Sequence, residues 1–253
     1  TPRTASTPLT AWWVLKTATS RKKSNRKRKV MNTIKKYDTA IFDFDGTLCD
    51  TGRGIVANLK RTLSELGRPP LRQETLEKFI GPSLLVSFKK YCGMTDEEAM
   101  KAIYIYRREY DSSGYKMSKL YDGIPELLKT LRDNGIKTVV ASAKPQYILD
   151  PTIDYFGVRD LFDGVFGSQE EGRPDNDKKA IVSRAMLGKS CIMAGDSPYD
   201  IDGGRDNGID TIAALYGFGF TSRAQAEKSL PTYIAESVKE LGDIILGKNQ
   251  VRG

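Results

Sequence analysis

Apolar and polar positions follow two different rhythms along this chain. From about residue 37, short apolar, β-branched runs end in Gly, Asp or Ser: Thr39–Phe44, Thr138–Ala143, Val165–Ser168, Cys191–Gly195 and Thr211–Leu215. Runs of this length and make-up predict strands. They are uncharged over most of their length, as strands covered on both faces should be. Amphipathic helical segments lie between most of them. Examples are Pro125–Asn134, with Leu127, Leu128 and Leu131 on one face, and Lys178–Met186. Strands alternating with helices predict an α/β fold built on a doubly wound parallel sheet.

Residues 51–118 break that rhythm and predict helices only: Gly54–Leu66, Gln73–Phe79, Ser83–Tyr91 and Asp96–Tyr110. Thr95 is placed to cap the last of these, with Glu98 three residues on to complete a capping box. Pro69-Pro70 and Gly81-Pro82 punctuate the segment. The expected division is a tail over 1–36, an α/β core over 37–50 and 119–253, and a small all-helical domain over 51–118, inserted after the first strand.

Composition narrows the chemistry. The 253 residues contain no histidine, which removes Ser-His-Asp and Cys-His catalysis and His-ligated zinc. An enzyme built from this chain must use carboxylates, lysine, hydroxyls or a hard metal. The three cysteines, Cys49, Cys92 and Cys191, are odd in number and far apart, which fits neither a disulfide framework nor a zinc site and suits a cytoplasmic protein. No run approaches the roughly 20 apolar residues of a membrane helix, so no membrane partner is expected.

The net charge of +8 belongs to one end. Residues 1–30 hold nine Lys and Arg and no acid, leaving 31 basic against 32 acidic residues in the remainder. Residues 21–29 read R-K-K-S-N-R-K-R-K. They fit a nucleic-acid or localisation arm, a targeting peptide, or residues ahead of a native start at Met31. In each case a disordered tail without catalytic residues is expected, and nucleic acid is a partner only through residues 21–29.

Two acidic groups stand at predicted strand ends. Phe42-Asp43-Phe44-Asp45-Gly46-Thr47-Leu48 follows the first strand. Carboxylates at i and i+2 disfavour each other's charge unless a cation intervenes. Gly46 permits a tight turn, and Thr47 offers a hydroxyl. Far along the chain, Asp196 follows the Cys191–Gly195 strand, with Asp200 and Asp202 beyond it. Ligands of open parallel sheets bind outside the carboxyl ends of strands, so Asp43, Asp45 and Asp196 are expected to converge on a hard-oxygen site suited to Mg²⁺. The same reasoning brings Ser142 and either Lys178 or Lys179 toward a phosphate.

These residues resemble the haloacid dehalogenase-like hydrolases. Asp43-Phe44-Asp45-Gly46-Thr47 is similar to that family's first motif. Ser142 in Ala141-Ser142-Ala143-Lys144-Pro145 is similar to the second, Lys178 to the third, and Gly195-Asp196-Ser197-Pro198-Tyr199-Asp200 to the fourth. The resemblance covers roughly residues 37–245. Tyr121-Asp122-Gly123-Ile124, Gly167-Ser168 and the helical insert resemble the phosphoglycolate phosphatase-like branch.

The resemblance implies a Rossmann-like core with a helical cap. It implies a Mg²⁺-dependent phosphatase that hydrolyses a small phosphorylated metabolite, such as phosphoglycolate, a nucleotide or a sugar phosphate, through an aspartyl-phosphate. Asp43 would be the nucleophile and Asp45 the acid and base. Asp43, the backbone carbonyl of Asp45, and Asp196 would hold the metal, with Asp200 reaching it less directly. Ser142 and Lys178 would grip the phosphoryl group, with Lys179 and Lys144 as rivals for the lysine. Gly46, Thr47, the Ala143 N–H, Arg53, Lys60 and the turn over residues 80–83 are further candidate substrate contacts. The competing expectations are a phosphosugar mutase of the same fold and a nucleic-acid-associated protein recruited by the tail. A monomer or homodimer is expected.

Overall fold

The computed structural model describes residues 36–80, 83–169 and 177–248. The expected tail up to residue 35, including the basic run 21–29 and Met31, lies outside the described residues, as do Gly81 and Pro82.

The first strand, β1 (Thr39–Phe42), is followed by a short β2 (Cys49–Asp50) and then by four helices: α1 (Gly52–Glu65), α2 (Gln73–Glu77), α3 (Leu84–Cys92) and α4 (Asp96–Ser113). A short β3 (Lys119–Leu120) returns antiparallel to β2, pairing Cys49 with Leu120 and Asp50 with Lys119. The two strands through which the chain enters and leaves the helical segment are therefore hydrogen-bonded to each other.

The chain then alternates: α5 (Ile124–Asp133), β4 (Lys137–Pro145), α6 (Gln146–Tyr155), β5 (Gly164–Ser168), α7 (Lys178–Ala185), β6 (Cys191–Gly195), α8 (Pro198–Arg205), β7 (Asp210–Ala214), α9 (Arg223–Lys228), β8 (Tyr233–Ala235) and α10 (Val238–Ile245). Six strands form one sheet in the order β5-β4-β1-β6-β7-β8, all neighbours parallel. β1 lies between β4 and β6, so the ends of three adjacent strands meet at one edge of the sheet.

Burial explains why the strands read as unbroken apolar runs. Ala40, Ile41 and Phe42 are fully buried. Ile41 packs with Ile181 and Val182 of α7 on one face. Ala40 and Phe42 pack with Leu128 and Leu131 of α5 on the other. Each such aliphatic side chain contributes about 1.5–3 kcal/mol when buried.

The helical segment has a cluster of its own, built around Leu59, Leu63, Leu76, Phe79, Phe88 and Ile103. Ile148, from α6 of the α/β part, is packed into that cluster. The Thr95 cap is formed as the sequence predicts: the Glu98 N–H donates to the Thr95 hydroxyl at 3.2 Å and the Thr95 N–H to the Glu98 carboxylate at 3.0 Å. Thr95→Ala is expected to cost about 1 kcal/mol, read as a lower urea midpoint with unchanged slope.

Two strand ends differ from expectation. β1 stops at Phe42 rather than Phe44, because the chain folds back at once: the Leu48 and Cys49 N–H groups both donate to the Phe44 carbonyl, at 3.1 and 2.9 Å. β4 runs to Pro145, with a register break against β5 between Ala141 and Pro145, so Ser142 lies within the strand.

Candidate active site

The parallel ladder sets the geometry. Phe42 is level with Val140 of β4 and Ala194 of β6, and the Asp43 N–H donates to the Ala194 carbonyl at 2.9 Å. Asp43 therefore leaves the sheet beside Ser142 on one side and Asp196 on the other. One carboxylate oxygen from each of Asp43, Asp196 and Asp200 lies within 4.8 Å of the others, and all three residues are buried.

Lys178 is the cation among them. Its ammonium lies 2.6 Å from Asp43 Oδ1 and 2.7 Å from Asp200 Oδ1, and it donates to the Ala141 carbonyl at 2.8 Å. All three of its donors are used. Lys178 opens α7 behind Asp177, whose side chain caps the helix by accepting from the Ala180 N–H at 2.7 Å. That placement turns Lys178 inward, while Lys179 is exposed. Burial alone would favour the neutral amine, but Asp200 and Asp43 hold Lys178 above the ordinary lysine value.

The other two carboxylates are fixed by neighbours. Asp200 Oδ2 accepts from the Ser197 N–H at 3.0 Å and the Ser197 hydroxyl at 2.7 Å. Asp196 Oδ2 accepts from the N–H groups of Phe218 and Gly219 at 3.0 and 2.8 Å.

The approach of the first turn to Asp196 requires glycine. Gly46 has φ of +82°, and a Cβ there would stand 2.1 Å from Asp196 Oδ2. Gly217, on the far side, would put a Cβ 2.3 Å from the Gly46 carbonyl. The role of Gly46 is thus to let the two acidic loops touch.

Electrostatics follows from this crowding. Burial pushes the Asp43 carboxyl up to about 7, against the pull of Lys178 and with the Asp200 and Asp45 charges adding to the rise. Asp196 is pushed well above the usual carboxylate range, by burial first and then by Asp200 and Asp43. Three buried carboxylates face one ammonium. A set of hard oxygen donors with excess negative charge fits Mg²⁺ chemically.

For Asp45 the expected metal contact is its backbone carbonyl, which leaves the side chain for another partner. Its carboxylate is not in the acidic cluster; it points to Lys144, whose ammonium lies 3.3 and 3.4 Å from its two oxygens. From the sequence alone, Lys144 is only a rival for the phosphate-gripping position. A lysine two residues after Ser142 on an extended strand returns to the same face, which was the available signal.

A cavity of about 560 Å³ opens above the cluster, between the strand ends and the helical segment. Ser142, Ala143 and Lys178 line it, with Ile55, Phe79, Leu84 and Tyr106 on the helical side. Ser142 is almost fully buried, and its hydroxyl accepts from the Lys144 N–H at 3.3 Å.

Several expected substrate contacts do not line the cavity. Arg53 is exposed on α1, where the chain's helical phase turns it outward. Lys60 is also exposed and donates to Gln73 Oε1 at 3.3 Å. Gly46 and Thr47 are buried and do not line the cavity; among the described residues the Thr47 hydroxyl has no hydrogen-bond partner, and its carbonyl accepts from the Tyr216 hydroxyl at 3.0 Å. Of the turn over residues 80–83, Ser83 lines the cavity. The Gly217-Phe218-Gly219 loop was not anticipated, although a G-x-G string just beyond a predicted strand end was visible.

Comparison with known proteins agrees with this geometry. A family model described as haloacid dehalogenase-like hydrolase matches residues 40–214. A 5'-nucleotidase of Pseudomonas aeruginosa is 30% identical over 214 residues, 83% of this chain and 96% of its own. Tyrosine-protein kinase PtkA of Mycobacterium tuberculosis is 32% identical over 183 residues, but the match spans only 62% of that protein. Phosphoglycolate phosphatases are also among the relatives, that of Aquifex aeolicus being 27% identical over 70% of this chain and 84% of its own. A solved structure described as a predicted phosphatase from Clostridium acetobutylicum superposes with a TM-score of 0.77 at 35% identity, over 83% of this chain and 99% of its own. With a match across more than half its length, and with phosphatases among both relatives and structural neighbours, the chain belongs to the haloacid dehalogenase-like hydrolases, as an enzyme of the phosphatase type.

Proposed function

We propose that this enzyme hydrolyses a small phosphomonoester in two displacements on Asp43. One observation carries the reading: Lys178 bridges Asp43 and Asp200, with Asp196 alongside, at the floor of a cavity large enough for a metabolite.

In the first displacement an Asp43 oxygen bonds to phosphorus. The ester P–O bond breaks, its electron pair stays on the leaving oxygen, and Asp45 gives that oxygen a proton. In the second, water bonds to phosphorus and gives its proton to Asp45. The P–O bond to Asp43 then breaks, and the carboxylate is restored. Dividing the reaction this way replaces one difficult step with two easier ones. Ser142 and the Ala143 N–H steady the phosphoryl oxygens, and Lys178 offsets their charge.

Mg²⁺ held by Asp43, Asp196, Asp200 and the backbone carbonyl of Asp45 would supply further charge neutralisation at the phosphoryl oxygens. The helical segment over residues 51–118 acts as a cap that keeps water from the reacting groups.

The cavity also bears on the substrate. Its helical wall sets the apolar and aromatic Ile55, Phe79, Leu84 and Tyr106 beside the charged Arg107 and Asp111. A two-carbon acid such as phosphoglycolate would leave most of its 560 Å³ unused. A nucleoside would occupy far more of it and set its base against the aromatic side chains, a contact worth about 1–3 kcal/mol, or about 5- to 150-fold in kcat/KM. The relative named as a 5'-nucleotidase supports the same choice. Phosphate release should be measured across nucleoside monophosphates, phosphoglycolate, a hexose phosphate and phosphotyrosine. A nucleoside monophosphate is expected to give the highest kcat/KM. A tenfold advantage for phosphoglycolate would reject the substrate class, and no release from any ester would reject the phosphatase reading.

A further inference from the structure

Each carboxylate of the Asp43-Asp45 pair has its own buried lysine. Lys178 serves Asp43, at 2.6 Å. Lys144 serves Asp45, with its side chain only 6% exposed. The phosphoryl chemistry set out above has no task for Lys144, and a second buried ammonium is costly to keep without one.

The neighbours of Lys144 indicate a task. Besides both oxygens of Asp45, its ammonium reaches the Tyr110 hydroxyl at 3.1 Å and lies 4.8 Å from that ring's centroid. Tyr110 belongs to α4, in the helical segment, and is buried. Lys144 belongs to β4, in the sheet. The lysine beside the proton-transfer carboxylate is thus braced from the opposite wall of the cavity.

The distances separate the two lysines. Lys178 makes short contacts and spends every donor, two on the cluster and one on the Ala141 carbonyl. Lys144 stands 3.3 and 3.4 Å from the Asp45 oxygens, which orients the carboxylate without tying up either oxygen in a tight pair.

We propose that Lys144, braced by Tyr110 of the helical segment, is a positioning residue that aims the Asp45 carboxylate at the leaving oxygen and then at the attacking water, and that it is not a ligand of the phosphoryl group. The inference rests on the reading of Asp45 as acid and base. It also makes correct aim depend on α4 lying over the sheet, so a water-exposed site would be poorly set for proton transfer.

The test uses two esters that differ in their need for a proton. The full chain is assayed with the best alkyl ester found in the substrate panel and with 2,4-dinitrophenyl phosphate, whose phenolate leaves without protonation. In Lys144→Met, kcat on the alkyl ester is expected to fall about 10²-fold or more while KM moves less than about threefold. First-turnover release of dinitrophenolate should fall at least about ten times less than that. Lys144→Arg should recover part of the lost kcat. Tyr110→Phe, which removes only the hydroxyl, should lose about three- to tenfold with the same bias toward the alkyl ester.

Equal losses on both esters, or a raised KM on both with kcat retained, would overturn the proposal, since a phosphoryl ligand serves both alike. Should Lys144→Met fail to show a cooperative thermal transition, the ratio between esters in Tyr110→Phe decides. An active wild type with no ester bias in the variants sinks this inference alone. A wild type inactive on both esters sinks the two-displacement reading and this inference with it.

Discussion

Asp43→Asn is expected to lower kcat for phosphate release at least about 10³-fold while the protein stays folded. The amide cannot carry the phosphoryl group, because the displacement needs a carboxylate oxygen that can bond to phosphorus and later leave it. The fold should tolerate the change. Asn has nearly the same shape, and it brings no charge into a position where burial already opposes one. Lys178 keeps its contacts to Asp200 and the Ala141 carbonyl, at 2.7 and 2.8 Å. Two measurements check the outcome. Thermal unfolding should remain cooperative with a midpoint close to wild type. Protein quenched in acid during turnover should carry hydroxylamine-labile phosphate in the wild type and none in the variant. A variant that keeps a tenth of wild-type turnover would remove Asp43 from the role of nucleophile.

Removal of divalent metal is expected to stop turnover, and added Mg²⁺ to restore it. Asp43, Asp196 and Asp200 place three carboxylates around one ammonium, in a buried setting where water cannot screen them. The same crowding makes metal binding a stability effect. At a Mg²⁺ concentration 100 times Kd, the folded state gains about 2.7 kcal/mol, a rise in Tm of about 5–10 °C for a chain of this size. Asp196→Asn keeps the shape of that side chain and removes its charge, so both the rise in Tm and the activity should be lost. Turnover indifferent to a chelator, or an Asp196→Asn protein that still gains the full thermal shift, would discard the metal assignment.

The α/β architecture and the two acidic loops were legible in the linear order of residues, because each is a local matter. An unbroken apolar run as short as Cys191–Gly195, closed by a turn residue, reads as a strand covered on both faces, and the carboxylates that follow such runs then emerge at strand ends. The Thr95–Glu98 cap was legible for the same reason: its partners are three residues apart.

What lay beyond local reading depended on which strands became neighbours. The order β4-β1-β6 puts Ser142, Asp43 and Asp196 side by side. No spacing along the chain encodes that order; it arises from how the helices cover the two faces of the sheet. The choice between adjacent lysines turned on the phase of α7 against the sheet, which sends Lys178 inward and leaves Lys179 in solvent. Arg53 shows the converse, a plausible cation that the phase of α1 turns away from the cavity. The pairing of Asp45 with Lys144 and Tyr110 joins positions 45, 144 and 110 from three separate elements. Long-range packing alone creates such a contact, since its stabilisation comes from burying unlike charges together and not from any preference of the chain near either residue.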